Sequence, residues 1–332
     1  MNTVLAGWER LCEGSAVARF IDINLRGIGQ VMFQDNPLTG ALFLLAVAWG
    51  SIAGGVPAVV IGGVVAVMVA TLTAQWLHVD PKALRAGLYG YNGVLVGLAL
   101  PTFLAPGPML WVYVVLGAAV SVVAMLAIAN AVKPWGVSAL TFPFVLITWL
   151  LLLASYGFGA IEGTGLPQGG VVGVAVPIES NPLHLIDFLG SALHSISQVF
   201  LKGSAVTAIL LVAGLAVSSI PAALFAVLGA LIAVVFAHLF GAESDLITGG
   251  LLGFSPVLTA IALGSVFYSP SPRVVAYAVL GTIFTVVVQA ALNTALIPFA
   301  IPTLTAPFVI ASWLFLLPRQ YFEPTGSSDG AA

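Results

Sequence analysis

Three segments of this chain occur twice, in the same order, and that recurrence limits the folds open to it more than any other feature. RGIGQVMFQDNPLTG at 26–40 returns as HSISQVFLKGSAVTA at 194–208, with Gln30-Val31 matched by Gln198-Val199 at an offset of 198 − 30 = 168. GLYGYNGVLVGLAL at 87–100 returns as GLLGFSPVLTAIAL at 250–263, and LTFPFVLITW at 140–149 as LTAPFVIASW at 304–313. The offset changes mainly where SIAGGVP at 51–57 is matched by the shorter SIP at 219–221, so the length difference falls in a turn. Matched blocks in one order mean a duplicated unit.

The unit is built for lipid. Only 6% of the 332 residues are charged and 60% are hydrophobic, with a mean hydropathy of +1.14, against about 25% charged residues in a soluble domain. Apolar runs close to the ~20 residues needed to cross a bilayer predict helices rather than an alternating β-barrel. They fall at 38–54, 57–77, 84–104, 108–132 and 137–155, and again at 203–219, 221–240, 246–267, 274–293 and 299–317. Each set follows a polar half-length helix. The first, at about 22–34, carries Gln30 and Phe33 and stops at Asn36-Pro37; the second carries Gln198.

The expected fold is therefore an all-α integral membrane protein made of two five-span halves, about ten transmembrane helices, with two re-entrant half-helices lining a central pore. The parts are an amphipathic lead-in at 1–21, a first repeat at 22–155, an external connector at 156–183, a second repeat at 184–318 and a cytoplasmic tail at 319–332, polar and disordered from Glu323. Five is odd, so the second half enters the membrane from the opposite side and the repeat is inverted. With both termini in the cytoplasm, Lys82, Arg85, Lys133, Arg273 and Arg319 all fall on cytoplasmic connections, as the positive-inside rule requires. Glu162, Glu179, Glu243 and Asp245 fall outside, with Lys202 as the one basic exception.

Composition also excludes. Cys12 stands alone, so no internal disulfide forms, and Glu9, Glu13 and Asp22 break up the first thirty positions, so no signal peptide is apparent. A net charge of −3 implies no nucleic-acid partner. His78, His184, His194 and His238 show no metal-ligand spacing and do not repeat between the halves, so no metal or cofactor is expected. Asp35, Asp80 and Asp187 lie near predicted helix ends, where capping is the preferred role over a charged vestibule.

No charged side chain lies in the middle of a predicted span, which argues against ion coupling and for a passive path taken by a neutral solute. The polar residues near the half-helices are amides, hydroxyls and flat rings: Gln30, Gln198, Thr141, Thr305, Phe33, Tyr91 and Phe254. Each has a plainer reading. A glutamine in a membrane can join two helices, an aromatic can simply pack, and Thr141 and Thr305, two residues before Pro143 and Pro307, can satisfy carbonyls freed by the ring. The symmetric Gln-Val pairs on half-helices favour the ligand reading for the glutamines.

QVMFQDNPLTG, GLYGYNGVLVG and the LTFPF/LTAPF pair resemble the urea transporter family over nearly the whole chain. The resemblance implies passive, channel-like passage of urea through each protomer of a homotrimer in the cytoplasmic (inner) membrane, at two sites in series. Carried onto matching positions, it implies an outer site of Gln198, Val199, Tyr91 and the Leu95 carbonyl, and an inner site of Gln30, Val31, Phe254 and the Leu258 carbonyl. Thr141 and Thr305 then face each other at a constriction, and Phe33 and Leu201 complete the walls. The copies differ where Asn36-Pro37 becomes Ser204-Ala205 and Tyr91-Asn92 becomes Phe254-Ser255, so the two sites are alike only approximately.

Rival functions fit less well. The Asn-Pro pairs at 36–37 and 181–182 miss the repeat offset, against a water or glycerol channel. An ammonium channel needs paired pore histidines, although ammonium or a small amide such as formamide or acetamide remains the nearest alternative solute. A membrane-embedded enzyme would need an Asp-rich, HExxH or nucleophile-base motif, and the chain has none.

Overall fold

A computed structural model describes residues 2–172, 179, 182, 184–269 and 271–318. Asn181, much of the connector beyond 172 and the tail with Arg319 and Glu323 lie outside the described residues. The described part is helical throughout, with one isolated β-bridge between Leu104 and Gly163.

Helices α1 (Asn2–Gly14) and α2 (Ala16–Gly29) meet at Ser15, whose hydroxyl accepts the Ala18 N–H and caps α2. The half-helix thus begins six residues before the expected position 22. A 3₁₀ turn over Gln30–Met32 carries the chain to Phe33, at φ 64°. Asn36 then caps α3 (Pro37–Ala53) by accepting from Leu38 and Thr39 N–H, and the chain turns through 74°. Proline at the first helical position is what allows so sharp a start. The half continues as α4 (Ala58–Trp76), α5 (Pro81–Arg85), α6 (Tyr91–Phe103), α7 (Pro108–Val132) and α8 (Phe142–Ser155).

The second half repeats this plan. α9 (Leu185–Ser197), a 3₁₀ turn over Gln198–Phe200 and Leu201 at φ 57° lead through a 71° bend into α10 (Ala205–Ser218). There follow α11 (Ile220–Leu239), α12 (Ser244–Thr248), α13 (Phe254–Ile261) with a π-helical extension over Ala262–Val266, α14 (Pro272–Leu296) and α15 (Ala306–Leu316).

By length and hydropathy, α4, α11 and the helices running from Pro108 and Pro272 are each long and apolar enough to cross a membrane singly, and each of the two bent pairs is so only as a pair, as a broken span or a re-entrant loop. The other apolar helices are shorter. The runs expected at 137–155 and 299–317 are helical only from Phe142 and Ala306, 14 and 11 residues, or about 21 and 17 Å at 1.5 Å per residue. Pro143 and Pro307 sit in the first turns and have no N–H to donate to a carbonyl four residues back, so neither helix extends further upstream. Large apolar side chains including Leu45, Trp49, Ile52, Leu72 and Trp76 cover the outside. A surface so apolar belongs in lipid, and the protein is a multi-pass membrane protein.

The halves interlock. Phe43 of α3 meets Phe200 edge to face at 5.4 Å, both fully buried. Thr39 Oγ1 donates to the Gly214 carbonyl at 2.8 Å, while Thr207 Oγ1 donates to the Ala46 carbonyl at 3.1 Å. Trp149 Nε1 donates to the Pro302 carbonyl and Trp313 Nε1 to that of Ser138, both at 2.8 Å. In each pair the second bond joins the sequence counterparts of the first.

Candidate functional site

The two glutamines stand at the C-terminal ends of α2 and α9, where a helix leaves carbonyls unpaired and the chain turns away. Gln30 Nε2 donates to the Ala86 carbonyl at 2.8 Å, and Gln198 Nε2 to the Gly249 carbonyl at 3.0 Å. Ala86 and Gly249 are themselves counterparts, at the ends of α5 and α12. Exchanging amide N and O would set oxygen against oxygen, so the donors fix the orientation. Each side-chain oxygen is left as an acceptor with no protein donor among the described residues.

Tight backbone approach makes these bonds possible. Gly87 and Gly250 hold φ of 76° and 73°, and a Cβ on Gly87 would lie 2.3 Å from the Gly27 nitrogen, one on Gly250 2.4 Å from the Ser195 nitrogen. Only glycine accommodates both the left-handed backbone and the missing space.

A threonine pair joins the two halves. Thr141 Oγ1 and Thr305 Oγ1 are 2.6 Å apart and buried, so the hydroxyls pair with each other rather than with a carbonyl freed by proline. Each threonine follows a left-handed leucine, Leu140 or Leu304, and occupies the N-cap position of α8 or α15 without a side-chain capping bond. Two helix N-termini thus meet here, each carrying roughly half a positive charge.

The aromatic residues divide. Phe33 packs edge-on against Phe267 at 6.0 Å and Phe308 at 6.1 Å, both from the other half. Tyr91 is buried and donates its hydroxyl to the Leu140 carbonyl at 2.7 Å, which leaves only its ring face for contact. Phe254 and Leu201 are half-buried, whereas Val31, Val199, Leu95 and Leu258 are almost fully covered. The Leu258 carbonyl already accepts from Ala262 N–H and so offers only its second lone pair. The turn bearing Gln30 packs on α6 and that bearing Gln198 on α13, each within its own half.

The approaches to the two glutamines differ in charge. Near Gln30 a cleft of about 560 Å³ is lined by Glu9, Glu13, Arg26, Asp35, Lys82 and Arg85, with Pro81 and Ala86. Here Asp22, fully buried, accepts from Trp8 Nε1 at 2.6 Å and pairs with Arg26 at 2.8 Å and Arg85 at 3.5 Å. Asp35 was expected as a cap, and this is corrected: Asn36 caps α3, and Asp35 pairs with Arg26 at 2.6 Å. Asp80 does cap α5, through Ala83 N–H, and Asp187 accepts the His184 N–H in a capping box. Lys202, expected on an external connection, is instead buried in the break before α10, because the 71° bend turns it inward.

Among these features the Ala86 and Gly249 carbonyls, the Asp22 cluster and the buried Lys202 are not predicted by the sequence reading. Trp149 and Trp313, which close the third matched block, and Gly87 and Gly250, which open the second, carry their signal in the repeat itself.

A family model described as Urea transporter matches residues 21–320. Urea transporter 1 of Ovis aries is 28% identical over 317 residues, spanning 94% of this chain and 80% of the relative. Urea transporter 1 of Rattus norvegicus is 28% identical over 321 residues with the same coverage.

Proposed function

This chain belongs to the urea transporter family, and we propose that it lets urea cross the membrane passively, through a path inside each protomer. The observation that carries the reading is the twin arrangement of Gln30 and Gln198, each with its amide nitrogen tied to a backbone carbonyl and its oxygen unclaimed. Urea brings four N–H donors and one carbonyl, all of which must find partners once water is stripped away. A fixed amide oxygen meets part of that demand without reorganising.

The outer site consists of Gln198, Val199, Tyr91 and the Leu95 carbonyl, the inner of Gln30, Val31, Phe254 and the Leu258 carbonyl, with Phe33 and Leu201 completing the walls. Urea moving between them parts the Thr141–Thr305 bond and takes its place, donating to one hydroxyl and accepting from the other. The cost of that step is small, because a neutral hydrogen bond contributes about 1 kcal/mol net. The facing N-termini of α8 and α15 hold a positive potential there, which disfavours ammonium and other cations while leaving neutral urea indifferent.

The two-fold relation that an inverted ten-span arrangement requires is supported by the reciprocal Thr39/Thr207 and Trp149/Trp313 bonds, since a contact repeated between counterparts is what such a relation produces. Lys82, Arg85, Lys133 and Arg273 favour cytoplasmic termini, while the cytoplasmic membrane and the homotrimer rest on the family resemblance alone. Purified protein in liposomes should equilibrate urea rapidly with no sodium or proton gradient. Flux that requires either gradient, or none above protein-free vesicles, rules the passive path out.

A further inference from the structure

On the side of Gln198 a cavity of about 490 Å³ is lined by Ser51, His194, Lys202, Gly203, Ser204 and Ala205, among others, with no carboxylate in its wall. Lys202 is only 8% exposed and lines this cavity, and among the described residues no ion pair includes it. Its stem is built into the fold: a Cβ on Gly50 would fall 3.1 Å from both Lys202 Cγ and Cδ. The Ser51 hydroxyl on the same wall is buried and unpartnered. Helix α10 begins at the cavity too, and with the Ser204 hydroxyl committed to Thr207 N–H, the Ala205 N–H has no intrahelical acceptor.

The other half shows that the fold does not demand this charge. Lys202 corresponds to Gln34, a neutral residue whose amide donates to the Met32 carbonyl. There the cations nearest the turn are Arg26 and Arg85, and Asp22 and Asp35 pair with them. The counterparts of those two carboxylates are Gly190 and Gly203, so this side has an ammonium and nothing to balance it. A largely buried ammonium that opens onto a cavity without a carboxylate, with an unpaired hydroxyl and a helix N-terminus beside it, calls for an anion.

We propose that this cavity binds a small inorganic anion, held by the Lys202 ammonium, the Ser51 hydroxyl and the first turn of α10. The site adjoins the solute path, since a Cβ on Gly203 would lie 3.6 Å from Gln198 Nε2. The bound anion cancels the charge at that mouth without blocking the glutamine oxygen.

Chloride is the probe. In the purified protein with gluconate as the inert counter-ion, titrated chloride should give excess ³⁵Cl line broadening that saturates. Lys202→Gln, which installs the residue found at the equivalent position 34, should weaken the apparent affinity at least tenfold. Ser51→Ala should weaken it a few-fold, and Lys202→Arg should retain it. Equal broadening in the parent protein and Lys202→Gln overturns the proposal. Saturation that appears only after lipid is stripped, and is suppressed by added phosphatidylglycerol, assigns the cavity to a lipid phosphate and overturns the free-anion occupant. If Lys202→Gln does not fold, the contrast between Lys202→Arg and Ser51→Ala decides. The readout is anion binding, so it stands or falls separately from urea flux.

Discussion

A glutamine held by one end of its amide is a different object from a glutamine that merely points into a path. The Gly249 carbonyl takes Nε2 of Gln198 and so chooses which atom a solute meets. Gln198→Leu removes the acceptor and also leaves that carbonyl without its side-chain donor. One lost neutral hydrogen bond contributes about 1 kcal/mol, and 1.4 kcal/mol is tenfold. Initial urea flux in stopped-flow vesicle assays should therefore fall roughly fivefold while the protein stays folded. Unchanged flux would remove Gln198 from the outer site.

Elements in this protein are placed by how closely their backbones approach. The turn between α5 and α6 presses Gly87 against α2, and the turn between α12 and α13 presses Gly250 against α9. Gly87→Ala combines a left-handed alanine, about 1–2 kcal/mol, with a Cβ 2.3 Å from the Gly27 nitrogen. Gly55, at φ 71°, has the same handedness but nothing within 4 Å of its added Cβ. Thermal unfolding in detergent should show Gly87→Ala destabilised by more than about 2 kcal/mol and Gly55→Ala by only the backbone strain. Equal losses would mean that α2 can yield to the turn. Displacing the turn also moves Ala86, so Gly87→Ala should cost urea flux as well.

The molecule as a whole is held by contacts made twice. Thr39 and Thr207 are both fully buried, and each donates across to the other half. Thr39→Val and Thr207→Val should each cost about 1 kcal/mol, equal within about 0.5 kcal/mol in reversible unfolding titrations. A large cost at one and none at the other would show that the halves carry unequal loads. The twofold plan also has a consequence for charge. The two corresponding clefts share a backbone but not an electrostatic solution: carboxylates pair with Arg26 and Arg85 at one, and Lys202 stands without a carboxylate at the other.

Much of this was legible before any coordinates. The duplicated blocks, the breaks at Asn36-Pro37 and after Gln198, and the positions of the apolar helices all come from local physics: proline forbids an N–H, glycine permits a turn, and an apolar run seeks lipid. The pairing of Thr141 with Thr305 was readable only by resemblance, because two hydroxyls 164 positions apart leave no local trace of their contact. The carbonyls that hold the glutamines, the burial of Lys202 and the shortness of α8 and α15 were not readable at all. Each depends on which distant backbone lies alongside, and that is set by the packing of two halves against each other rather than by any stretch of chain within one of them.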